Sequence, residues 1–160
     1  MVSVTLICVG KLKEKYYKDA AQEYVKRLGG YCRTEVIELP ETRLDEAPAP
    51  AQVDAALEKE AELILARIPK GAVVTAMCVE GEPLSSEELA ARFSRDMVQG
   101  TSKFVFLIGG SFGLSERVKR EAKYRLSMSK MTFPHHLARV VILEQIYRAF
   151  KINEGSSYHK

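Results

Sequence analysis

Three glycines in five residues, Gly109-Gly110-Ser111-Phe112-Gly113, follow directly on the apolar run Phe104–Ile108. Glycine has no Cβ, so such a turn lets a ligand approach main-chain N–H groups that a side chain would shield. A second segment, Met128-Ser129-Lys130-Met131-Thr132-Phe133, stands just ahead of Pro134. Its hydroxyls and free amides offer hydrogen bonds, and its Met and Phe residues offer apolar walls. Together these are the parts of a small-molecule pocket. The glycine turn lacks the Gly-Lys-Ser/Thr ending of a Walker loop and the GxGxxG spacing of a dinucleotide fingerprint. Taken singly, each segment also has a plainer reading: a turn that needs glycine for its own geometry, and a loop that holds two core residues.

Other reactive side chains point in fewer directions. His135-His136 are adjacent at a helix start, where their rings diverge too far to chelate one ion, and a helix-entry role fits them better. Cys8, Cys32 and Cys78 are far apart and show no CxxC or Cys/His ligand spacing, so no metal site is expected. Buried thiols in a reducing cytoplasm are the expected reading. The chain ends in Tyr158-His159-Lys160, an aromatic, an imidazole and a cation that can stack on a base and grip a phosphate; an exposed terminus otherwise frays.

The elements that must position these groups alternate. Apolar runs predict strands over 2–9, 34–39, 72–79, 103–108 and 124–129. Helical spacing predicts helices over 13–28, 51–68, 85–99, 115–123 and 135–152, and Ser85-Ser86-Glu87-Glu88 reads as a capping box. Strands alternating with helices imply a parallel sheet covered on both faces, in a single α/β domain over 1–160. Strand ends opening into Gly, Ser and Thr loops are where such a sheet holds a ligand. On the last helix, Val140, Ile142, Leu143, Ile146, Tyr147 and Phe150 form an apolar arc wide enough for a central position or a second subunit, with Arg148 on the opposite side. Arg139 falls inside that arc, which requires a partner. A Glu across a dimer interface and a substrate phosphate are the two candidates.

The net charge of +3 is unevenly spread. Residues 117–160 carry 10 Lys+Arg against 3 Asp+Glu, together with every histidine, whereas residues 1–116 carry 14 against 18. A localised basic region is the electrostatic footprint of a polyanion such as RNA. The apolar runs are strand-length and the N-terminus has no basic n-region, so neither a membrane span nor a signal peptide is expected.

Gly10-Lys-Leu-Lys-Glu14, Phe106-Leu-Ile-Gly-Gly-Ser111, Ser127-Met-Ser-Lys-Met-Thr-Phe-Pro-His135, Glu144-Gln-Ile-Tyr-Arg-Ala-Phe150 and Tyr158-His-Lys160 together resemble the bacterial 23S rRNA pseudouridine N3-methyltransferase family (RlmH), of the SPOUT class. The resemblance covers essentially the full chain. It implies a SPOUT-type α/β knot, with a C-terminal trefoil knot at about 103–155 that binds S-adenosylmethionine. It also implies a cytoplasmic homodimer acting on 23S rRNA in the assembled ribosome, without metal. The family's cofactor positions carry over to Met77, Gly109 and Met128, Ser129, Lys130, Met131, Thr132 and Phe133. Met77 stands where Leu is common, and Phe112 where smaller polar residues are frequent. For chemistry the expected groups are Arg148, Tyr158 and His159, with His159 as candidate base and the tail supplied by either protomer. Arg139 and Lys160 are expected on the substrate. Two other classes remain: a ribosome-associated RNA-binding protein without catalysis, and a different small-molecule enzyme on a doubly wound sheet.

Overall fold

The computed structural model describes residues 1–160. Its elements follow in the order β1 (Ser3–Val9), α1 (Lys15–Leu28), β2 (Arg33–Leu39), α2 (Pro50–Arg67), β3 (Val73–Pro83), α3 (Ser86–Val98), β4 (Lys103–Ile108), α4 (Glu116–Glu121), β5 (Tyr124–Ser127) and α5 (His135–Glu154). The strands form one five-stranded sheet in the order β2-β1-β4-β3-β5, with every pairing parallel.

Both faces of the sheet are covered, as the near-continuous apolar strands require. On one face Val4, Leu6 and Cys8 pack with Phe104 and Phe106 against α1, α3 and α5. On the other, Ile7 and Val9 pack with Val105 and Leu107 against α2 and α4. The successive residues of β1 therefore serve two cores in turn, following the period of two in a strand. Helix α5 supplies Ile142, Leu143, Ile146 and Ala149 to the first core, all buried. Burying a side chain such as Leu143 or Ile146 contributes about 1.5–3 kcal/mol each.

Strand β3 departs from the expected outline. It extends to Pro83, beyond the expected end at 79, because its pairing with β5 slips. Met77 and Glu82 both pair with Leu126, so residues 78–81 bulge out of the ladder. A Cβ on Gly81 would sit 2.8 Å from the Leu126 backbone, which is why glycine closes the bulge. Cys8 and Cys32 are buried, but Cys78, expected inside, lies on the bulge and is only half-buried. Burial pushes the Cys8 thiol up to about 12, so it stays a protonated, unreactive core residue.

Candidate functional site

The carboxyl ends of β4, β3 and β5 are neighbours, and they open on one cavity of about 740 Å³ lined by 22 residues. That volume lies within the range of small-molecule sites, about 300–1,000 Å³. The turn after β4 supplies Gly109 to Leu114, the β3 bulge supplies Met77 to Glu80, and β5 with its loop supplies Leu126 to Ser129 and Met131 to Pro134. His135 and Ala138 at the start of α5 complete the wall.

The glycine turn is tight for reasons that can be located atom by atom. A Cβ on Gly109 would lie 2.3 Å from the Gly113 carbonyl oxygen. Gly113 itself has φ +78° and donates its N–H to Gly110 O at 3.1 Å. A Cβ on Gly110 would meet Glu41 Oε1 at 2.5 Å, and the same oxygen accepts the Ser111 N–H at 2.7 Å. Glu41, just past the end of β2, thus pins the turn from outside the cavity. The loop after β5 braces itself: Ser127 Oγ donates to Ser129 O at 2.9 Å, and Met131 N–H donates to Ser129 Oγ at 3.0 Å.

Eleven of the 22 lining residues are hydrophobic, and the rest supply an ion pair, hydroxyls, glycine backbone and the His135 ring. Met77, Leu126, Met128, Met131 and Phe133 suit a flat aromatic group. Glu80 and Lys119 both line the cavity and pair with each other. The Lys119 hydrogen bond holds the Glu80 carboxyl below the usual range. Burial opposes the Lys119 charge, but Glu80 outweighs it and raises its pKa. His135 is shifted down by burial and by His136, so its ring favours the neutral form.

Of the expected cofactor positions, Met77, Gly109, Met128, Ser129, Met131, Thr132 and Phe133 all line this cavity. Lys130 does not: the Ser129–Met131 hydrogen bond turns the chain tightly and leaves residue 130 exposed on its outer side. Phe112, on the outer face of the glycine turn, is 49% exposed.

The groups expected to do chemistry lie elsewhere. Arg148 donates through Nε to Glu144 Oε1 at 2.6 Å and through Nη1 to His159 Nδ1 at 3.1 Å. Its guanidinium sits 4.9 Å from the centre of the Tyr158 ring, which packs edge-on against Tyr147. His159 Nε2 lies 2.6 Å from Glu87 Oε1. Because a guanidinium only donates, Nδ1 must accept and Nε2 must carry the proton given to Glu87. The tail is therefore docked rather than frayed, and neither ring nitrogen of His159 has a spare lone pair. Lys160 is exposed and makes no ion pair. None of these residues lines the cavity. Arg148 lies ten residues beyond Ala138, about 15 Å further along the helix axis.

Arg139 finds its partner within the chain. Its side chain is 1% exposed, and Nη1 donates to Glu38 Oε2 at 2.6 Å while Nη2 donates to Gly10 O at 3.0 Å. Glu38 Oε2 also accepts the Leu12 N–H at 2.9 Å. Nη1 and Nη2 thus find their partners within the chain and brace the Gly10–Leu12 turn, while Nε is buried without a hydrogen-bond partner.

Three contributors to the site escape a reading of the residues alone: the bulge residues Cys78 to Glu80, Lys119, and Glu41. Only Glu41 leaves a usable signal, since it directly follows the Pro that ends β2 at the carboxyl edge of the sheet. No helix is long and apolar enough to cross a membrane. Compared with known families, residues 2–159 match the family described as "Predicted SPOUT methyltransferase". The match spans nearly the whole chain, and the chain belongs to that family.

Proposed function

We propose that this SPOUT methyltransferase uses S-adenosylmethionine to methylate N3 of a pseudouridine in 23S ribosomal RNA, as a cytoplasmic homodimer on the assembled ribosome. The observation that carries this reading is the joint enclosure of one cavity by the glycine turn and the Ser127–Phe133 loop. The fit to S-adenosylmethionine rests on the residues present. The clash that any side chain at Gly109 would cause leaves bare backbone facing the cavity, while Met77, Met128 and Phe133 offer an apolar slot for adenine. The bare turn and the loop hydroxyls suit the polar ends of the ligand. The knotted crossing implied for about 103–155 belongs to the same reading.

When bound, the cofactor supplies a sulfonium methyl whose positive charge is neutralised as the new bond forms. The chain's share of the work is positioning and handling the N3 proton. Arg148 is suited to stabilise an imide anion at a carbonyl oxygen, Tyr158 to orient the base, and Lys160 to hold a phosphate. His159 can take the proton only after Nδ1 lets go of Arg148, because Nε2 already carries the proton given to Glu87. Since this group sits about 15 Å along α5 from the cavity wall, the reading assigns each cavity the tail of the other protomer.

Calorimetric titration with S-adenosylmethionine, followed by transfer of labelled methyl to ribosomes, tests the proposal. Saturable binding and labelled 23S rRNA are expected. Salt-sensitive ribosome binding by a protein with no affinity for S-adenosylmethionine would instead favour a ribosome-associated protein without catalysis.

A further inference from the structure

A second hollow, of about 810 Å³, lies beside the cofactor cavity and shares Ser111, Phe112 and His135 with it. It opens at the carboxyl ends of β1 and β2, so the two hollows run side by side along one edge of the sheet. Their characters differ. Of the 13 residues lining the second, only 2 are hydrophobic, and Lys11, Lys13 and Arg43 are among the rest.

These three cations are exposed and make no ion pair or side-chain hydrogen bond. The contrast with the basic C-terminal segment is what gives them weight. There Arg117, Lys119, Lys123, Arg125, Arg139, Arg148 and Lys151 are each paired with a carboxylate of the same chain. The charge most conspicuous in the sequence is thus largely neutralised at home, while the three cations of this hollow come from the acidic N-terminal part and are unpaired. Two carboxylates also face the hollow. Glu41 is committed to the Ser111 N–H, and Glu14 lies 3.8 Å from His136 Nδ1. Helices α1 and α5 both start here without a side-chain cap, which leaves N–H groups and the positive ends of two dipoles nearby. Lys11 and Lys13 are carried on a turn that is held rigid by the Arg139–Glu38 pair.

We infer that this hollow is a phosphodiester-binding subsite in which Lys11, Lys13 and Arg43 hold the RNA backbone beside the cofactor cavity. The inference rests on the RNA methyltransferase reading and adds to it the surface that delivers the substrate strand. A strand gripped here passes over Ser111 and Phe112, residues common to both hollows, and presents its neighbouring base to the cavity.

The test compares Lys11→Ala/Lys13→Ala/Arg43→Ala with a control of equal charge change, Lys59→Ala/Arg67→Ala/Lys70→Ala, on and just beyond α2. Affinity for ribosomes is measured across a salt series, together with methyl-transfer kinetics and S-adenosylmethionine binding. Losing three phosphate contacts should lower the salt slope by about 2, at roughly 0.7 per contact with single-stranded RNA. KM for ribosomes should rise at least about tenfold with kcat within about threefold, the pattern of lost substrate binding. Affinity for S-adenosylmethionine and the behaviour of the control should match the wild type. If the wild type binds and methylates ribosomes and the rim variant does the same with an unchanged slope, the subsite is wrong and the methyltransferase reading stands. A wild type that binds no ribosomal RNA overturns both. Titration with inorganic phosphate at fixed ionic strength covers the remaining source of such an anion: phosphate binding that the variant loses, with ribosome affinity intact, would overturn the assignment to RNA.

Discussion

At its N-terminal end, α5 lends His135 and Ala138 to a cavity whose other walls come from three neighbouring strand ends of the same chain. At its C-terminal end the same helix carries Arg148 into a chain of polar contacts, Glu144 to Arg148 to His159 to Glu87, with Tyr158 packed over it. The first region is shaped by backbone: glycines that admit no side chain, a bulge, a self-braced loop. The second is shaped by side chains that satisfy one another on the surface. On the proposed function, a pocket made by one chain and a tail held at a distance from it would divide the labour, with binding local to a protomer and chemistry dependent on assembly.

Separating the two ends by mutation is the strongest way to break that comparison. Deleting residues 158–160 should lower turnover on ribosomes by about 10²–10⁴-fold, the range of a lost general base. S-adenosylmethionine affinity should stay within about threefold of wild type by calorimetry. Unchanged turnover would remove the tail from the chemistry. Gly109→Ala should do the reverse, because its Cβ would lie 2.3 Å from Gly113 O and the turn must open. A loss of at least about 100-fold in cofactor affinity is expected, or about 2.7 kcal/mol, with the folded state confirmed by circular dichroism.

Arg139 sharpens the comparison from between the two ends, as a buried brace on a helix to whose ends the proposal gives separate roles. Arg139→Met should cost about 2 kcal/mol in urea unfolding, below the usual figure for a broken buried pair because Glu38 keeps partial access to water. The pair also has a pH signature. Burial alone would raise the Glu38 pKa, but the Leu12 N–H and the Arg139 guanidinium outweigh it and hold the carboxyl below its usual range. A depressed folded pKa gives stability that is fully present above the unfolded value, about 4.3, and lost as pH falls through the folded one. The wild type should therefore lose more stability than Arg139→Met on acidification below about pH 4.5. Equal acid sensitivity would remove Glu38 as the linked group.

The smallest effects belong to the loop. Met131→Ala should weaken cofactor binding by a few-fold, roughly 1 kcal/mol of lost apolar contact. Lys130→Ala should change it less than about twofold, within the scatter of a surface substitution. A large effect at Lys130 would mean that the loop turns over when the ligand binds.

Much of this architecture is legible in the sequence because local chemistry decides it. Ser85 and Glu88 cap α3 reciprocally, at 3.1 and 3.3 Å, as their spacing predicts. Gly109 to Gly113 and Met128 to Phe133 follow strands that end on the same edge of the sheet, so their convergence is a matter of topology. The features that stay hidden depend on partners distant in sequence. The β3 bulge arises from Leu126 pairing twice, which no pattern within residues 73–83 encodes. Arg139 meets Glu38 across 101 residues, and Arg117 meets Glu58 and Glu62 across 59 and 55. For the same reason the basic C-terminal segment reads as a free cationic surface, when five of its ten cations pair with acids from elsewhere in the chain.

Mixing two inactive variants tests the division of labour most directly. On the proposed function, Gly109→Ala dimers would lack a working cavity, and dimers lacking residues 158–160 would lack a working tail. If each cavity takes its tail from the other protomer, random exchange makes half of the dimers mixed, each with one complete site. Methyl transfer to ribosomes should then recover to about one quarter of the wild-type rate. No recovery, with subunit exchange confirmed by mass spectrometry of differently tagged chains, would contradict a site completed across the dimer.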